Sequence, residues 1–227
     1  VTHCQDRGDR WEQQVLKEYS IYRLFNLFSD RSFQVRLARI TYVDTSEPDD
    51  DPLTRLAFII ERDDQMAIRL EGSLVELTQM HPARYESNHA ALVSLFQFMV
   101  GNTDWSIYQF HNIVPMRAEG PVWFPVPYDF DWAGLVNAPY AEPAEVLPIR
   151  NVRERVYRGF CWEGVDYPAL YDEFRDQRDA VLGLYDEIPG FDEGTVRDVQ
   201  RYLEEFYVVL DNDRRRTRAI EDACRTW

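Results

Sequence analysis

The sequence has almost no lysine, since Lys17 is the only one and arginine carries nearly all the positive charge. Acidic residues number 40 against 25 basic ones, which gives a formal net charge of −15. Nucleic-acid duplexes and anionic membranes are bound by positive surfaces that release counterions. The charge balance therefore argues against nucleic acid, or an anionic membrane surface, as the main partner.

Cysteines and long apolar runs are also scarce. The three cysteines, Cys4, Cys161 and Cys224, include no close pair, so their spacing indicates neither a zinc site nor a complete disulfide framework. There is no run of about 18 apolar residues and no basic-then-apolar segment at the start, so we expect no membrane insertion. A chain that starts at Val1 rather than methionine suggests a processed protein or a fragment, and its localisation stays open.

What is present is ample material for a core, with 45% hydrophobic and 14% aromatic residues. Helical spacing predicts a long helix over 9–30. Alternation of apolar and polar residues predicts a strand over 33–44, and a return strand begins at 56 and leads into a helix or loop that ends at 69, so the two strands form an antiparallel pair. The remainder is mostly helical, with helices predicted over 89–100, 152–160, 167–184 and 195–223. The predicted fold class is α+β, with a small first unit over 1–72 and a helical unit over 73–227.

The segment 101–138 carries the most chemistry. Asp104, His111 and Asn112 lie in one loop directly after the apolar helix 89–100, and Asp129 and Asp131 follow a short strand predicted over 122–131. Phosphoryl transfer needs one carboxylate to orient a hydroxyl group. It also needs a second carboxylate and an amide oxygen to hold a divalent metal. The segment therefore predicts a phosphoryl-transfer site.

Each of these residues has a structural alternative. Asp104 could cap a turn, and His111 could be a core histidine with ordinary hydrogen bonds. Asp129 and Asp131 could accept hydrogen bonds from neighbouring backbone amides, or form structural ion pairs with the arginines of segment 150–155. Three carboxylates close together repel one another unless cations hold them, and this favours a metal or nucleotide site.

The order of elements and these residues resemble the kinase-like superfamily, especially the bacterial CotH and HipA-like kinases. There, an apolar helix leads into a loop with a catalytic aspartate and a metal-binding asparagine, and a following strand carries the metal-binding aspartate. The resemblance implies a catalytic Asp104 and metal ligands Asn112 and Asp129, with Asp131 in the second position of an Asp-x-Asp pair. It also implies ATP and Mg²⁺ or Mn²⁺ as cofactors, and a kinase-like fold with a partial small lobe.

The resemblance assigns the first helix to the one whose glutamate pairs with the nucleotide-binding lysine, which makes Glu18 or Glu12 the candidate. Glu61 would lie near the hinge, as a nucleotide-site residue. The sequence has no glycine-rich loop before this helix, and Lys17 lies within the helix, so we expect the nucleotide lysine and the glycine loop to lie upstream of Val1.

Three functions stay open at this point. The first is a kinase-like phosphotransferase acting on an unknown protein or small-molecule acceptor, and the second is a catalytically silent pseudokinase or binding module. The third is a metal-dependent phosphohydrolase, favoured if His111 or His89 points at the carboxylates. The arginines of 152–160 either face a phosphate or belong to a solvated helix paired with acidic residues.

Overall fold

The computed structural model describes residues 1, 9–46, 51–75, 77–118 and 120–227. The chain is α+β, as predicted, with helices and small antiparallel sheets. Its helices are α1 Asp9–Phe28, α2 Asp63–Arg69, α3 Ser87–Val100, α4 Tyr167–Asp176, α5 Arg178–Glu187, α6 Glu193–Leu210 and α7 Asp213–Arg216. Its strands are β1 Val35–Tyr42, β2 Leu53–Ile60, β3 Ser73–Leu74, β4 Ile113–Arg117 and β5 Trp123–Pro127. None of the helices in these ranges is long and apolar enough to cross a membrane.

The first part of the chain is α1 packed on the β1–β2 hairpin, and it confirms the predicted helix and antiparallel pair. The strands pair from Val35 with Ile60 to Tyr42 with Leu53. One face of α1 packs its tyrosines against Phe58 of β2, with ring centroids 5.6 to 5.7 Å apart. This packing fixes α1 in direct contact with the rest of the core.

Helix α3 is the centre of the core, as its almost entirely apolar sequence predicts. Twelve of its residues, His89 to Val100, are buried. Glu86 caps its first turn, with its carboxylate accepting the backbone N–H groups of Asn88 and His89. Gly101 ends the helix at φ +67°, the left-handed conformation that glycine adopts without strain. The loop that follows therefore starts from a fixed point.

The second sheet has the order β3-β4-β5 and is antiparallel. Sequence reasoning identified β5 but missed β4, which directly follows Asn112. Because β4 and β5 run in opposite directions, the residue before β4 and the residue after β5 lie at the same end of the sheet. The Tyr128 N–H donates to the Asn112 carbonyl at 3.1 Å. The pair thus brings the two halves of the candidate segment together.

The helix predicted over 152–160 is wrong. The segment is irregular because its arginines reach groups on other elements instead of forming helical pairs. Arg153 pairs with Asp198 of α6 at 2.8 Å, and Arg155 donates to the Met99 carbonyl at the end of α3. The long helix predicted over 167–184 is divided into α4 and α5. The one predicted over 195–223 is also interrupted, because α6 ends at Leu210 and helical structure resumes in α7 and a π-helical turn, Thr217–Glu221.

A disulfide joins Cys161 to Cys224, with their Cα atoms 5.1 Å apart. The spacing of the cysteines did not indicate this pair, because 63 residues separate its members in the chain. A short parallel bridge between Phe160 and Arg225 accompanies it. The third cysteine, Cys4, lies outside the described residues. The disulfide fixes the last residues of the chain against the segment that follows Arg158.

Candidate active site

The loop after α3 is built by its own backbone hydrogen bonds. The Asn102 side chain accepts the N–H of Asp104 at 2.9 Å, which sets the turn. Farther along, Ser106 and His111 exchange two backbone hydrogen bonds, at 2.9 and 3.1 Å. This small hairpin carries the chain back on itself. Asn112, at φ +52°, then follows beside the point where the loop began.

The loop brings Asp104, His111 and Asn112 into direct contact. His111 Nε2 lies 2.8 Å from Asp104 Oδ1. Asn112 Nδ2 donates to the Asp104 carbonyl at 2.8 Å and to its Oδ2 at 3.1 Å. These bonds orient the Asp104 carboxylate from both sides. They use the amide nitrogen of Asn112, so its Oδ1 is left to accept or to bind a cation.

Asp129 and Asp131 flank a residue that is anchored in the core. Phe130 is completely buried and packs edge-on against Tyr22 of α1, with ring centroids 4.9 Å apart. The backbone N–H of Asp129, which sits at φ +55°, donates to the Tyr22 hydroxyl at 2.9 Å. Asp131 accepts the hydroxyl of Tyr140 at 3.0 Å. The buried ring of Phe130 and the Tyr22 hydroxyl therefore anchor the backbone that carries these two neighbouring carboxylates.

Glu18 of α1 belongs to the same site. It is 5% exposed, and its pKa is raised to about 8, first by burial and then by the charges of Asp129 and Asp131. The Phe130 amide and the amino terminus of Val1 act in the opposite direction. We call Glu18, Asp104, Asp129 and Asp131 the acidic cluster. Glu18 is thus largely protonated at neutral pH.

Asp129 is also perturbed, with a pKa of about 6. Partial burial raises it first, then the charge and hydrogen bonding of Asp131 and the charge of Asp104, while His111 lowers it. These interactions show that carboxylates from both halves of the candidate segment repel one another. A bound cation would relieve that repulsion.

No arginine of the described residues forms an ion pair with the acidic cluster. In the described ranges, the ion pairs include Asp104 only through His111, and they include none of Asp129, Asp131 and Glu18. Arg153 is engaged with Asp198 instead. The alternative in which the arginines of 150–155 hold Asp129 and Asp131 as structural ion pairs is therefore wrong.

Other candidates from the sequence lie elsewhere. The Glu61 carboxylate is held by Arg69 at 2.7 Å at the end of β2. Glu12 accepts the N–H of Leu56 at 2.7 Å and so ties α1 to β2. Lys17 points to Asp198, 3.9 Å away. Of the two glutamates proposed on α1, Glu18 is the one whose charge interacts with the site.

His89 is buried in α3 and does not contact the carboxylates of the site. Its Nε2 lies 3.2 Å from the Pro125 carbonyl, and its pKa is lowered to about 4, chiefly by burial and then by the charge of Arg31. His111 is the histidine that meets a carboxylate, and it is more than half exposed. Only one of the two histidines thus meets the expectation for a hydrolytic site.

Tyr22 is a site residue that sequence reasoning did not single out. It donates no charge, but its hydroxyl fixes the backbone of Asp129. Its position four residues after Glu18 places the two side chains on one face of α1, and this spacing was the available signal. Tyr140, which holds Asp131, lies in an irregular loop and had no such signal.

The donor set of the site consists of oxygens, which suits a hard cation such as Mg²⁺ or Mn²⁺. No three His, Cys, Asp or Glu side chains in the described part of the chain lie close enough to enclose a metal ion by themselves. Mg²⁺ in nucleotide-dependent enzymes is usually held by one or two carboxylates together with phosphate oxygens. Carboxylate and amide oxygens, as on Asp129 and Asn112, are ligands of the type that such a metal takes.

A cavity of about 700 Å³ lies away from this site, beside α4. Tyr157, Trp162, Tyr171 and the Cys161–Cys224 disulfide are among the groups that line it, and no member of the acidic cluster does. The side chains of Asp104 and His111 are 36% and 55% exposed. The Asp104 end of the acidic cluster is therefore open to solvent, whereas Glu18 is buried.

Comparison with models of known protein families and with curated proteins found no match to this chain. Function must therefore be argued from the geometry and chemistry of the site itself.

Proposed function

We propose that the chain is an atypical kinase-like phosphotransferase core that uses ATP and Mg²⁺ or Mn²⁺ to phosphorylate a hydroxyl group on an unknown acceptor. One observation carries the proposal. Asp104, paired with His111 and Asn112, lies within electrostatic reach of Asp129, which also interacts with Asp131. No arginine or lysine of the described residues forms an ion pair with these carboxylates.

The roles follow from the contacts of each group. Asp104, oriented by His111 and Asn112, accepts the proton of the acceptor hydroxyl and aligns it for attack. Asn112 Oδ1 and Asp129 would hold the metal, and Asp131 would serve as a second ligand or support Asp129. Bound Mg²⁺ or Mn²⁺ supplies charge neutralisation at the transferring phosphate.

The spacing of Asp104 and Asn112 is longer than in the Asp-x-x-x-x-Asn motif of protein kinases. The hairpin closed by Ser106 and His111 takes up the additional residues. As a result, the Asn112 amide still reaches Asp104 at 3.1 Å. The difference in sequence spacing is therefore compatible with a kinase-like pairing of the two side chains.

Glu18 and Glu61 are proposed as residues of the nucleotide side of the site. Glu18 lies on the helix that the resemblance assigns to the lysine-binding glutamate, and it borders the metal-binding aspartates. Glu61, at the position expected for the hinge, has its carboxylate on Arg69 and would act as a support rather than a direct ligand.

A pair of matched variants tests the roles. Asp129→Asn should abolish metal-dependent ATP binding, since it removes a ligand charge. Asp104→Asn should still bind ATP with metal but lose turnover, because the base is needed only in the chemical step. Asp186→Asn, on the exposed surface of α5, is the control. ATP binding by calorimetry and phosphate transfer from labelled ATP are the two readouts.

The outcomes separate the alternatives. Equal loss of both readouts in Asp104→Asn and Asp129→Asn would indicate a structural network instead of divided roles. Metal-dependent binding by the unaltered chain without any transfer would identify a pseudokinase or binding module.

The contact between His111 and Asp104 favours a second candidate, a metal-dependent phosphohydrolase. In that case the pair would activate water rather than an acceptor hydroxyl. Hydrolysis of p-nitrophenyl phosphate with Mn²⁺ and without nucleotide would support it, provided that His111→Gln loses the activity. Activity that needs ATP, with no hydrolysis of p-nitrophenyl phosphate, would favour the kinase-like proposal.

A further inference from the structure

The segment 152–160, which was predicted as a helix and is irregular in the structure, lies against the loop of Asp104 at Arg158. The guanidinium group of Arg158 donates a hydrogen bond to the carbonyl of Thr103, the residue directly before Asp104. Burial lowers the pKa of Arg158, and the nearby charge of Asp104 acts in the opposite direction. Arg158 is therefore a half-buried cation at the edge of the candidate site.

Arg158 differs from Arg153 and Arg155 in forming no ion pair with an acidic residue of the described ranges. Arg153 pairs with Asp198 at 2.8 Å. Arg155 donates to carbonyls of α3 and α6 and lies 3.5 Å from Glu205. No Asp or Glu oxygen in the described ranges lies within 4.0 Å of the Arg158 guanidinium nitrogens. A guanidinium has five N–H donors, so the bond to Thr103 leaves most of them for another acceptor.

The backbone of Arg158 is fixed from two sides. On one side, Gly159 is pressed against α3, where an added Cβ would lie 2.6 Å from the Cβ of Ser94. On the other side, Arg225 donates its backbone N–H to the Gly159 carbonyl at 3.0 Å and its side chain to the Arg158 carbonyl. The Cys161–Cys224 disulfide joins the same two segments. A cation held in this way needs little reorganisation to bind an anion.

We propose that Arg158 is a catalytic residue that binds the phosphoryl group during its transfer, which deepens the proposed function and rests on it. In this step, the bond between the γ-phosphorus and the bridging oxygen of ATP breaks, and its electron pair leaves with ADP. A bond forms between the phosphorus and the acceptor oxygen, whose proton passes to Asp104. Arg158 donates hydrogen bonds to the non-bridging oxygens, where negative charge is concentrated in the transition state.

The test compares Arg158→Ala, Arg158→Lys and a control, Arg197→Ala, which removes a surface arginine from an exposed pair on α6. Three quantities are measured for each folded variant: affinity for Mn²⁺ with ATP, affinity for Mn²⁺ with ADP and aluminium fluoride, and the rate of phosphate release or transfer from ATP. Aluminium fluoride with ADP mimics the phosphoryl group in transfer.

For Arg158→Ala, we expect ATP affinity to change by no more than about threefold. Turnover should fall about 10²- to 10³-fold, as on removal of one preorganised donor to a transition state. The ratio of the affinity for ADP and aluminium fluoride to the affinity for ATP should also fall. Arg158→Lys keeps the charge and can keep the hydrogen bond to Thr103, so its turnover should lie between those of Arg158→Ala and the unaltered chain. Arg197→Ala should match the unaltered chain in all three quantities.

Removing the disulfide that fixes the backbone around Arg158 should produce a smaller loss of turnover. In the double variant Cys161→Ser, Cys224→Ser, we expect retained ATP affinity and reduced turnover. Unchanged turnover and unchanged aluminium fluoride preference in Arg158→Ala would overturn the inference while leaving the proposed function intact. Failure of the unaltered chain to bind ATP with Mn²⁺ would reject the proposed function, and the role of Arg158 with it.

Discussion

The buried Glu18 makes a prediction about stability that needs no substrate. Its pKa is about 8 in the folded protein against an ordinary value of 4.5, because burial and the charges of Asp129 and Asp131 disfavour ionisation. The folded chain therefore holds this proton more tightly than the unfolded chain does. The contribution of Glu18 to the free energy of unfolding is therefore largest below pH 4.5. It falls as the pH rises and levels off above pH 8.

The magnitude follows from the two pKa values. Where Glu18 is protonated in the folded chain and ionised in the unfolded chain, each rise of one pH unit lowers the free energy of unfolding by about 1.4 kcal/mol. Between pH 6 and pH 8 the loss from Glu18 amounts to about 2 kcal/mol, since the folded group starts to ionise within this window. That is a large share of an ordinary free energy of unfolding of roughly 5–15 kcal/mol.

The assay is urea denaturation at pH 6, 7 and 8 for the unaltered chain and for Glu18→Gln, which imitates the protonated acid. We expect the unaltered chain to lose about 2 kcal/mol over this range and the variant to lose much less. Glu142→Gln, in an exposed loop, is the matched control and should behave as the unaltered chain. The same loss in Glu18→Gln as in the unaltered chain would refute the assignment of the effect to Glu18.

Two further predictions concern the framework that holds the site. The disulfide between Cys161 and Cys224 closes a loop of 63 residues, so its reduction should lower stability by about 4 kcal/mol, seen as a lower melting temperature with dithiothreitol; an unchanged temperature would contradict this. A Cβ at Gly134 would lie 2.4 Å from the Val152 carbonyl, so Gly134→Ala should destabilise the chain by about 1–3 kcal/mol in urea. At Gly183 no atom lies within 4 Å of an added Cβ, so Gly183→Ala should leave stability unchanged or raise it. An equal change of stability in both variants would refute the explanation from close packing at Gly134.

The elements that could be predicted from the sequence are those whose local pattern and burial agree. Helix α3 is the clearest case, because its apolar residues need burial on every face and Gly101 stops it without strain. Strand β5 was predicted in spite of two prolines, and it is an edge strand, where proline is tolerated. Local pattern and tertiary packing point the same way in both elements.

The misses occur where distant contacts decide the conformation. The segment 152–160 has a helical spacing, but Arg153 and Arg155 bond to α6 and to the end of α3, and these contacts hold it irregular. The disulfide depends on a close approach of the chain end that no local pattern encodes. Asp104 and Asn112 were predicted together from their place in one loop. The buried state of Glu18 beside Asp129 depends on how α1 packs, and only the resemblance suggested a role for it.

The measurement that tests the proposed phosphotransferase most directly is the melting temperature of the chain with Mn²⁺ and ATP together, against each alone. A ligand at about one hundred times its dissociation constant adds roughly 2.7 kcal/mol to the stability of the folded state. For a chain of this size, that corresponds to a rise of about 5–10 °C. The account predicts this rise only with both ligands, and its disappearance in Asp129→Asn. No rise in the unaltered chain, or an equal rise in the variant, would contradict it.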